Sequence, residues 1–444
     1  MPVCELCGKD FKVLSAHKRR KTPCAPAVAP VAPVTVKAAP VTVKVAPVAV
    51  KVAKPKAVEE FRETSKQFNT SLTKEERQQQ GIYFTPRKAR DALFSTLADL
   101  GVTPKVILEP SFGSGEFLFD ARSKYPKAKL LGVEKNEALF NSVQCPRASL
   151  TCSDFLTWKG KADLIIGNPP YFVLKAGVDK KAYTPCMTGR PNIYVLFLYK
   201  CLEEHLEADG FLAFIIPTSL YNCSYYQPMR DYIAKHTTIR HLENLNKPGF
   251  YETGQETMLI VLQKKKGNDE YIFKSKSGNT YISPYWRELA EITKGTKTLR
   301  DLGLGVKTGN VVWNQVKENL SDDGTLLIYS SNIKDCELKL DNLGGKERKQ
   351  YVTGLAKPVL DGPVILVDRG YGNSYSFNSV LVTMKNFYAE NHVNVIYPKT
   401  PGAARALQRV VKSFRDERSQ TFIKYFIGNG SISATDLETL MPIF

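Results

Sequence analysis

One stretch decides the fold, Ala162-Asp-Leu-Ile-Ile-Gly-Asn-Pro-Pro-Tyr171. Its apolar run is typical of a buried parallel strand, and it stops at a glycine followed by Asn168. Open α/β folds bind ligands at the carboxyl edge of the sheet, which is where this corner would lie. Pro169 and Pro170 fix the backbone and donate no N–H, so the carbonyl oxygens of the corner can serve as acceptors. Acceptors beside an aromatic residue suit a planar ring that carries an exocyclic amino group.

The tetrapeptide Asn168-Pro-Pro-Tyr171 alone does not distinguish a binding site from a structural turn. Pro-Pro also occurs in ordinary loops, and a tyrosine that follows it often only packs against its neighbours. The earlier strands favour a binding site. Val106-Ile-Leu leads into the glycine-rich turn Glu109-Pro-Ser-Phe-Gly-Ser-Gly115, where the backbone can approach a ligand closely. The next strand ends in Glu134, 19 residues further on, at the spacing where an acid holds ribose hydroxyls. A third strand ends in Asp154-Phe155. The pattern predicts an α/β fold with a parallel sheet.

Composition and charge indicate that the N-terminal and C-terminal segments of the chain bind a polyanion. The 444 residues carry a net charge of +18, divided as +9 over residues 1–57, +2 over residues 58–263 and +7 over residues 264–444. Basic flanks around a nearly neutral middle are expected if the flanks hold nucleic acid and the middle performs chemistry. Nine scattered cysteines, no long apolar run and no signal-peptide core predict an intracellular protein without a membrane segment.

The first 24 residues have the spacing of a small zinc knuckle. Cys4, Cys7, His17 and Cys24 could form a tetrahedral ligand set, and the alternative is four unrelated residues in a flexible tail. The segment resembles the short zinc fingers found at the ends of many proteins of large DNA viruses. Residues 25–57 are rich in Ala, Pro, Val and Lys and contain a seven-residue repeat, which predicts an extended flexible linker.

Taken in order, the motifs of residues 75–262 resemble the adenine-specific DNA methyltransferases of the TaqI-like (gamma) group. The motifs are Tyr-Phe-Thr-Pro86, the glycine turn, the strand ending in Glu134, Ser-Asp-Phe155 and Asn-Pro-Pro-Tyr171. The resemblance implies a Rossmann-like S-adenosylmethionine-dependent sheet with helices on both faces at residues 58–263. It also implies an α+β DNA-recognition domain at residues 264–444.

The resemblance gives each matching position a role. Asn168 and Pro169 would accept the two protons of the target amino group, and Pro170 would complete this catalytic corner. Tyr171 would stack on a base flipped out of the duplex. Phe250 would cover the other face of that base, with Tyr251 as the alternative.

The cofactor set implied by the resemblance is larger. Glu134 would hold the ribose hydroxyls, while Asp154 and Phe155 would take the adenine amino group and ring face. The full set is Phe84, Thr85, Pro86, Glu109, Ser111, Gly113, Gly115, Glu134, Asp154, Phe155 and Asn168.

These motifs predict methyl transfer from S-adenosylmethionine to the 6-amino group of adenine in double-stranded DNA, as the modification component of a restriction-modification-type system. Two alternatives stay open. One is amino-group methylation of RNA guanine or protein glutamine, and the other is an inactive DNA-binding methylase derivative. Thr184-Pro-Cys186 superficially resembles the nucleophile motif of cytosine carbon-5 enzymes, but no strand precedes it, so we interpret Cys186 as structural or incidental.

The last domain supplies the predicted DNA contacts, because the segment from Gly303 to Asn314 resembles the start of the recognition domain in this family. The candidates are Lys307, Thr308, Asn310, Trp313 and Arg369, followed by Tyr371, Asn373, His392 and Lys399. A solvated loop is the alternative for each. We expect a monomer in the cytoplasm or nucleus of a host, encoded by the host or by a virus, with duplex DNA and a separate cognate endonuclease as partners.

Overall fold

A seven-stranded mixed sheet forms the centre of the computed structural model. The structure describes residues 60–71, 73, 75, 81–174, 181–189, 192–245, 256–345, 347–369, 377–427 and 432–444. The predicted zinc ligands, the linker, Phe250, Tyr251, Tyr371 and Asn373 therefore lie outside the described residues. Residues 58–444 form one unit, separate from residues 1–57.

The strands of this sheet are β1 Val106–Glu109, β2 Lys129–Glu134, β3 Ala148–Cys152, β4 Ala162–Gly167, β5 Leu206–Pro217, β6 Thr238–Leu245 and β7 Thr257–Gln263. Their order is β3-β2-β1-β4-β5-β7-β6, in which β1 to β5 are parallel and β7 runs antiparallel to both of its neighbours. The order reverses between β1 and β4, so their carboxyl ends flank the switch point where α/β sheets bind ligands.

Helices cover both faces of this sheet. The helices are α1 Glu63–Ser71, α2 Arg87–Asp99, α3 Glu116–Lys124, α4 Glu137–Ser142, α5 Ile193–Lys200 and α6 Gln227–His236. Successive strand residues point to opposite faces, so Ile165 packs with α5 and α6 while Leu164 and Ile166 pack with α2 and α3. The predicted α/β sheet with helices on both faces is confirmed.

The remainder of the chain is built from short strands and helices. A hairpin, β8 Ile272–Lys274 with β9 Thr280–Ile282, packs through Ile272 and Ile282 against the core of the large sheet. The Asn222 side chain donates to the Phe426 carbonyl at 2.9 Å, which joins a loop after β5 to a C-terminal helix. Packing therefore continues across the predicted domain boundary between residues 263 and 264.

Two four-stranded sheets follow, in the orders β10-β19-β16-β17 and β11-β15-β12-β18, with one further two-stranded pair, β13-β14. These strands are β10 Leu304–Thr308, β11 Leu320–Ser321, β12 Thr325–Ile328, β13 Ile333–Lys334, β14 Glu337–Leu338, β15 Tyr351–Val352, β16 Val364–Asp368, β17 Ser379–Val382, β18 Phe387–Ala389 and β19 Val393–Pro398. The helices are α7 Trp286–Thr293, α8 Ala406–Phe414, α9 Glu417–Ile427 and α10 Ala434–Thr439. Among the described helices, none is long and apolar enough to cross a bilayer.

Candidate active site

A cavity of about 470 Å³ connects the glycine turn with the Asn-Pro-Pro-Tyr corner. Its volume is in the range of small-molecule and cofactor sites. Eight of the residues predicted from the sequence line it: Phe84, Ser111, Gly113, Glu134, Asp154, Phe155, Asn168 and Pro170. The chain thus brings the ends of β1, β2, β4 and the β3–β4 connection around one space.

Glu134 lies at the end of β2 and is held by backbone donors. Its carboxylate accepts from the Gly113 N–H and from the Asn136 N–H, each at 2.8 Å. The turn can present its N–H in this way because Gly113 has a φ of +53° and Gly115 a φ of +79°, which favour glycine. Burial raises the pKa of Glu134, and these backbone donors offset part of the shift.

One part of the cavity lining combines the aromatic residues Phe155 and Phe197 with the carboxylate of Asp154. The ring of Phe155 is buried, with its centroid 4.9 Å from that of Phe197 and 5.0 Å from that of His205. Asp154 lies at the rim and pairs with Lys135 through a 2.7 Å contact. Aromatic walls with a carboxylate at one edge suit a flat heterocycle with an amino group.

The amide of Asn168 has a fixed orientation. Its Nδ2 donates to the carbonyl oxygen of Tyr83 at 3.2 Å and to Oγ1 of Thr85 at 3.0 Å. Because a carbonyl only accepts, the nitrogen must face that side and Oδ1 the other. Residues 81–85, which include Tyr83 and Thr85, pack closely on the Asn-Pro-Pro-Tyr corner. A Cβ at Gly81 would lie only 2.8 Å from Cβ of Pro170. Asn168 is therefore a pre-oriented acceptor.

Tyr171 contacts Asn168 directly, which the sequence did not indicate. Its single O–H proton is shared between two acceptors, Oδ1 of Asn168 and, at 2.6 Å, the Ile215 carbonyl oxygen. Its ring packs edge-on against Tyr194 at a centroid distance of 6.1 Å and is not among the residues that line the cavity. Burial raises the pKa of Tyr171 well above its usual range, so the hydroxyl keeps its proton at neutral pH. In this structure the Tyr171 hydroxyl therefore supplies the donor that Oδ1 of Asn168 accepts from.

Helix α1 and the residue before it pack on the outer side of the glycine turn. Ser65 Oγ lies 2.7 Å from Ser114 Oγ and donates to Glu116 at 2.6 Å, and the Arg62 N–H donates to the same carboxylate at 2.8 Å. Glu116 is also ion-paired with the buried Arg90 at 3.0 Å. In addition, Phe61 packs with two cavity-lining residues, Phe84 and Leu139. Residues before the first motif thus support the wall of the cavity.

Glu109 ends β1 almost fully buried, and its Oε2 has no hydrogen-bond partner among the described residues. Burial raises its pKa well above the usual range, and nearby Glu134 adds to the shift. The folded state therefore holds the proton more tightly than the unfolded state. Its stability falls as the pH rises from the unfolded pKa towards the folded one.

The Glu109→Gln variant is expected to avoid this fall in stability with rising pH, because its side-chain amide does not ionise. At neutral pH its free energy of unfolding should exceed that of the wild type by at least about 1 kcal/mol, and in acid the two should converge. Urea unfolding over a pH series measures the difference. The matched variant Glu116→Gln breaks a buried ion pair and should instead lose about 3 kcal/mol. A constant difference between wild type and Glu109→Gln at every pH would contradict the expectation.

The other predicted cofactor residues lie around the cavity without lining it. Thr85 holds the Asn168 amide, Pro86 caps the start of α2, and Gly115 caps α3. Residues that line the cavity but were not predicted include Lys135, Asn136, Leu139, Ile193 and Phe197. The adjacency of Lys135 to Glu134 was a usable signal, whereas the helix α5 residues reach the cavity only through tertiary packing.

The predicted DNA-binding residues have varied surroundings. Lys307 is exposed over the Tyr397 ring at 5.2 Å, and Thr308 bonds the Asn394 side chain at 3.3 Å. Trp313 is partly buried, with the Arg348 guanidinium 4.9 Å and the Lys317 ammonium 5.6 Å from its ring. That ring is already contacted by cations of the same chain.

Asn310 and Arg369 lie in one hydrogen-bonded region of the recognition segment. It also contains His392, whose ring nitrogen is 3.0 Å from the buried Glu390 carboxylate. Lys399 is paired with Glu438 at 3.0 Å. Within the residues that the structure describes, no group of three or more His, Cys, Asp or Glu side chains could hold a metal ion.

Comparison with known proteins identifies the family. Residues 42–250 match the family described as Eco57I restriction-modification methylase. Among solved structures, the type IIG restriction endonuclease BpuSI is 11% identical with a TM-score of 0.39, and the match covers 80% of this chain and 58% of that one.

Two viral proteins match at higher identity. The type II methyltransferase M.CvrRI of Paramecium bursaria Chlorella virus XZ-6E is 32% identical over 398 residues, 86% of this chain and 99% of that protein. The modification methylase CviBIII of Paramecium bursaria Chlorella virus NC1A is 31% identical over 399 residues, 87% of this chain and 100% of that protein. Identity at this level along nearly the whole length, together with the sheet and the cavity, places the chain in the family of type II restriction-modification methyltransferases.

Proposed function

We propose that this chain methylates the 6-amino group of adenine in double-stranded DNA, with S-adenosylmethionine as the methyl donor. The cavity that joins the glycine turn to the oriented amide of Asn168 carries the proposal. It sets a cofactor-sized space directly beside an acceptor for an amino group. The chain would act as the modification component that protects DNA from a separate endonuclease.

The residues around the cavity fit this cofactor. Glu134 offers a carboxylate to ribose hydroxyls, Phe155 an aromatic face to adenine, and Asp154 an acceptor to its amino group. Ser111 lines the cavity with a buried Oγ that has no hydrogen-bond partner in the part of the chain that the structure describes, as expected where a ligand would supply one. The acidic groups that line the cavity, Glu134 and Asp154, favour a positively charged ligand.

Bound S-adenosylmethionine would supply an electrophilic methyl group on a positively charged sulfur. The chain has to present the amino nitrogen to it, and that nitrogen is a poor nucleophile because its lone pair is delocalised into the ring. Oδ1 of Asn168 and the Pro169 carbonyl would accept its two N–H groups, which favours a pyramidal nitrogen with a free lone pair. Orientation and electrostatics then account for the rate, and one N–H proton is lost after transfer.

The target base must leave the duplex to reach the corner. Flipping costs a few kcal/mol. Stacking returns ~1–3 kcal/mol for each aromatic face, so Tyr171 with one further aromatic residue is about enough to hold the base out. Its amino group would replace the Tyr171 hydroxyl at Oδ1 of Asn168. The positive charge of residues 264–444 supports a polyanionic substrate.

Methyl transfer from labelled cofactor tests the proposal. The full chain is incubated with unmethylated genomic duplex DNA, with ribosomal RNA or with protein extract, and each substrate is hydrolysed and analysed by mass spectrometry. Label in 6-methyladenine from DNA alone is the expected result. Label in cytosine, RNA guanine or protein glutamine, or in none of the substrates, would overturn it.

Cys186 is not required for this chemistry. It is buried, and burial raises its pKa to about 12, so the thiolate needed for attack on a cytosine ring is scarce at neutral pH. We expect Cys186→Ala to keep nearly the wild-type transfer rate per folded molecule. The exposed Cys152→Ala is the matched control, and thermal unfolding reports any loss of packing. Complete inactivation of folded Cys186→Ala would instead indicate a nucleophilic cysteine.

A further inference from the structure

We propose that the buried Arg90 is a positioning residue for methyl transfer, because it fixes the chain segment that orients the amide of Asn168. The inference rests on the proposed function and adds a residue that is not among those lining the cavity. Arg90 lies in the first turn of α2, and its side chain is only 3% exposed. Its part in the reaction would therefore be exerted through its neighbours.

The guanidinium of Arg90 is held from three directions. Nε donates to the Asp120 carboxylate at 2.6 Å, and Nη2 is ion-paired with Glu116 at 3.0 Å. Nη1 donates to the main-chain carbonyl of Thr85 at 2.5 Å. The two carboxylates are four residues apart on α3 and so lie on one face of that helix, whereas Thr85 precedes α2. One planar cation thus joins the start of α3 to the segment before α2.

The Thr85 contact leads to the catalytic corner. Oγ1 of Thr85 accepts from Nδ2 of Asn168 at 3.0 Å, and the Tyr83 carbonyl accepts from the same nitrogen at 3.2 Å. Both acceptors belong to residues 82–86, which form neither a helix nor a strand. Because no helix or sheet ladder fixes this segment, the position of its oxygens depends on side-chain anchors. Arg90 supplies such an anchor at the residue that holds the amide.

The Glu116 contact leads to the glycine turn. Glu116 follows Gly115 directly, and its Oε1 accepts from the Ser65 hydroxyl at 2.6 Å and from the Arg62 N–H at 2.8 Å. The carboxylate is therefore fixed on its far side as well. The network ties the glycine turn, on the cofactor side of the cavity, to the Asn168 amide on the target side. A misplacement of about 1 Å between reacting groups can cost 10²-fold in rate, so such a tie has a measurable effect.

An arginine suits this role better than a lysine. A guanidinium presents five N–H donors in a fixed plane, whereas the three donors of an ammonium radiate from one atom. Arg90→Lys would keep a cation beside Glu116 and Asp120 but would lose the simultaneous donation to the Thr85 carbonyl. We expect this variant to bind cofactor and DNA within about twofold of the wild type and to transfer methyl groups about 10- to 100-fold more slowly.

A double-mutant cycle with Asn168 separates positioning from general support of the fold. Single-turnover transfer rates per folded molecule are measured at saturating cofactor and substrate for the wild type, Arg90→Lys, Asn168→Ala and the double variant. If Arg90 acts through the amide, Arg90→Lys should slow the Asn168→Ala enzyme by less than about twofold, because the group that it positions is already gone. Equal slowing in both backgrounds, or no slowing of the wild type, would overturn the inference.

Arg122→Lys is the matched control. Its guanidinium also donates to three main-chain carbonyls, those of Pro126, Ala128 and Arg147. This variant should leave the rate nearly unchanged in both backgrounds. If Arg90→Lys does not fold, Asp120→Ala removes the partner of Nε at the less buried of the two carboxylates and should show the same non-additive pattern with a smaller loss.

The cycle is run on whichever substrate the wild type methylates, so the possible failures remain distinct. Label in a substrate other than DNA adenine defeats the proposed function, while the cycle still decides the inference. If the wild type methylates no substrate, the proposed function fails and hydrogen exchange of the amides in residues 81–85 decides the inference. This exchange should be at least about tenfold faster in Arg90→Lys and unchanged in Arg122→Lys. Unchanged exchange in Arg90→Lys would then overturn the inference.

Discussion

Asn168→Ala is expected to lower the rate of methyl transfer by about 1,000-fold while cofactor and DNA still bind. Removing a single pre-organised hydrogen-bonding group from an active site typically costs 10²- to 10³-fold in rate. Here the lost oxygen is oriented in advance by Tyr83 and Thr85, so no neighbouring group can easily replace it. Single-turnover transfer at saturating cofactor and DNA measures the chemical step, and titrations measure binding.

Asn192→Ala is the matched control for this variant. The Asn192 side chain caps α5 by accepting from the Tyr194 N–H, and Ile193 beside it lines the same cavity. Losing the cap should cost ~1 kcal/mol of stability and leave the rate of the folded enzyme nearly unchanged. If folded Asn168→Ala transfers methyl groups within tenfold of the wild-type rate, the amide is not the acceptor.

Two substitutions at Tyr171 should separate its ring from its hydroxyl. Tyr171→Ala removes the stacking face and should lower kcat/KM for DNA by about 10- to 100-fold. Tyr171→Phe keeps the ring and releases Oδ1 of Asn168 from the hydroxyl bond, so its kcat/KM should equal or exceed that of the wild type. The phenylalanine variant also leaves the Ile215 carbonyl without this donor and should be about 1 kcal/mol less stable.

Steady-state kinetics on an unmethylated substrate duplex give kcat/KM for each Tyr171 variant, and thermal unfolding gives its stability. A Tyr171→Phe enzyme as impaired as Tyr171→Ala would show that the hydroxyl acts in the reaction. Tyr194→Phe is the matched control. The Tyr194 ring also packs on Tyr171, but the hydroxyl that this variant loses lies 3.4 Å from Oγ of Ser219 instead of contacting Asn168.

The sheet and its binding edge could be predicted because their signals are local. Apolar runs ending in Glu109, Glu134 and Asn168 specify both the strands and the polar groups at their carboxyl ends. The right-handed connections of parallel strands then bring those ends to one edge. The cavity between Gly113 and Asn168 follows from that topology.

The remaining details of the site depend on contacts between distant residues. The Tyr171 bond to Ile215 and the Ser65 bond to Glu116 join positions 44 and 51 residues apart, and no periodicity reports such pairs. The recognition segment was harder still, because strands of two residues such as Leu320–Ser321 carry almost no pattern. Its DNA-contact candidates were chosen by residue type, which could not show that the Trp313 ring already has the Arg348 and Lys317 side chains close to it.

The contact of α1 with the glycine turn has a practical consequence for preparing shorter versions of this protein. A fragment designed from the motifs would begin near Gly81 and would remove Phe61, Arg62 and Ser65. The Glu116 carboxylate would then lose two of its donors while staying buried against Arg90. Expression boundaries should therefore be placed before residue 60. Poor solubility of a fragment that begins near Gly81 would reflect the loss of these contacts to Glu116 rather than an intrinsic defect of the enzyme.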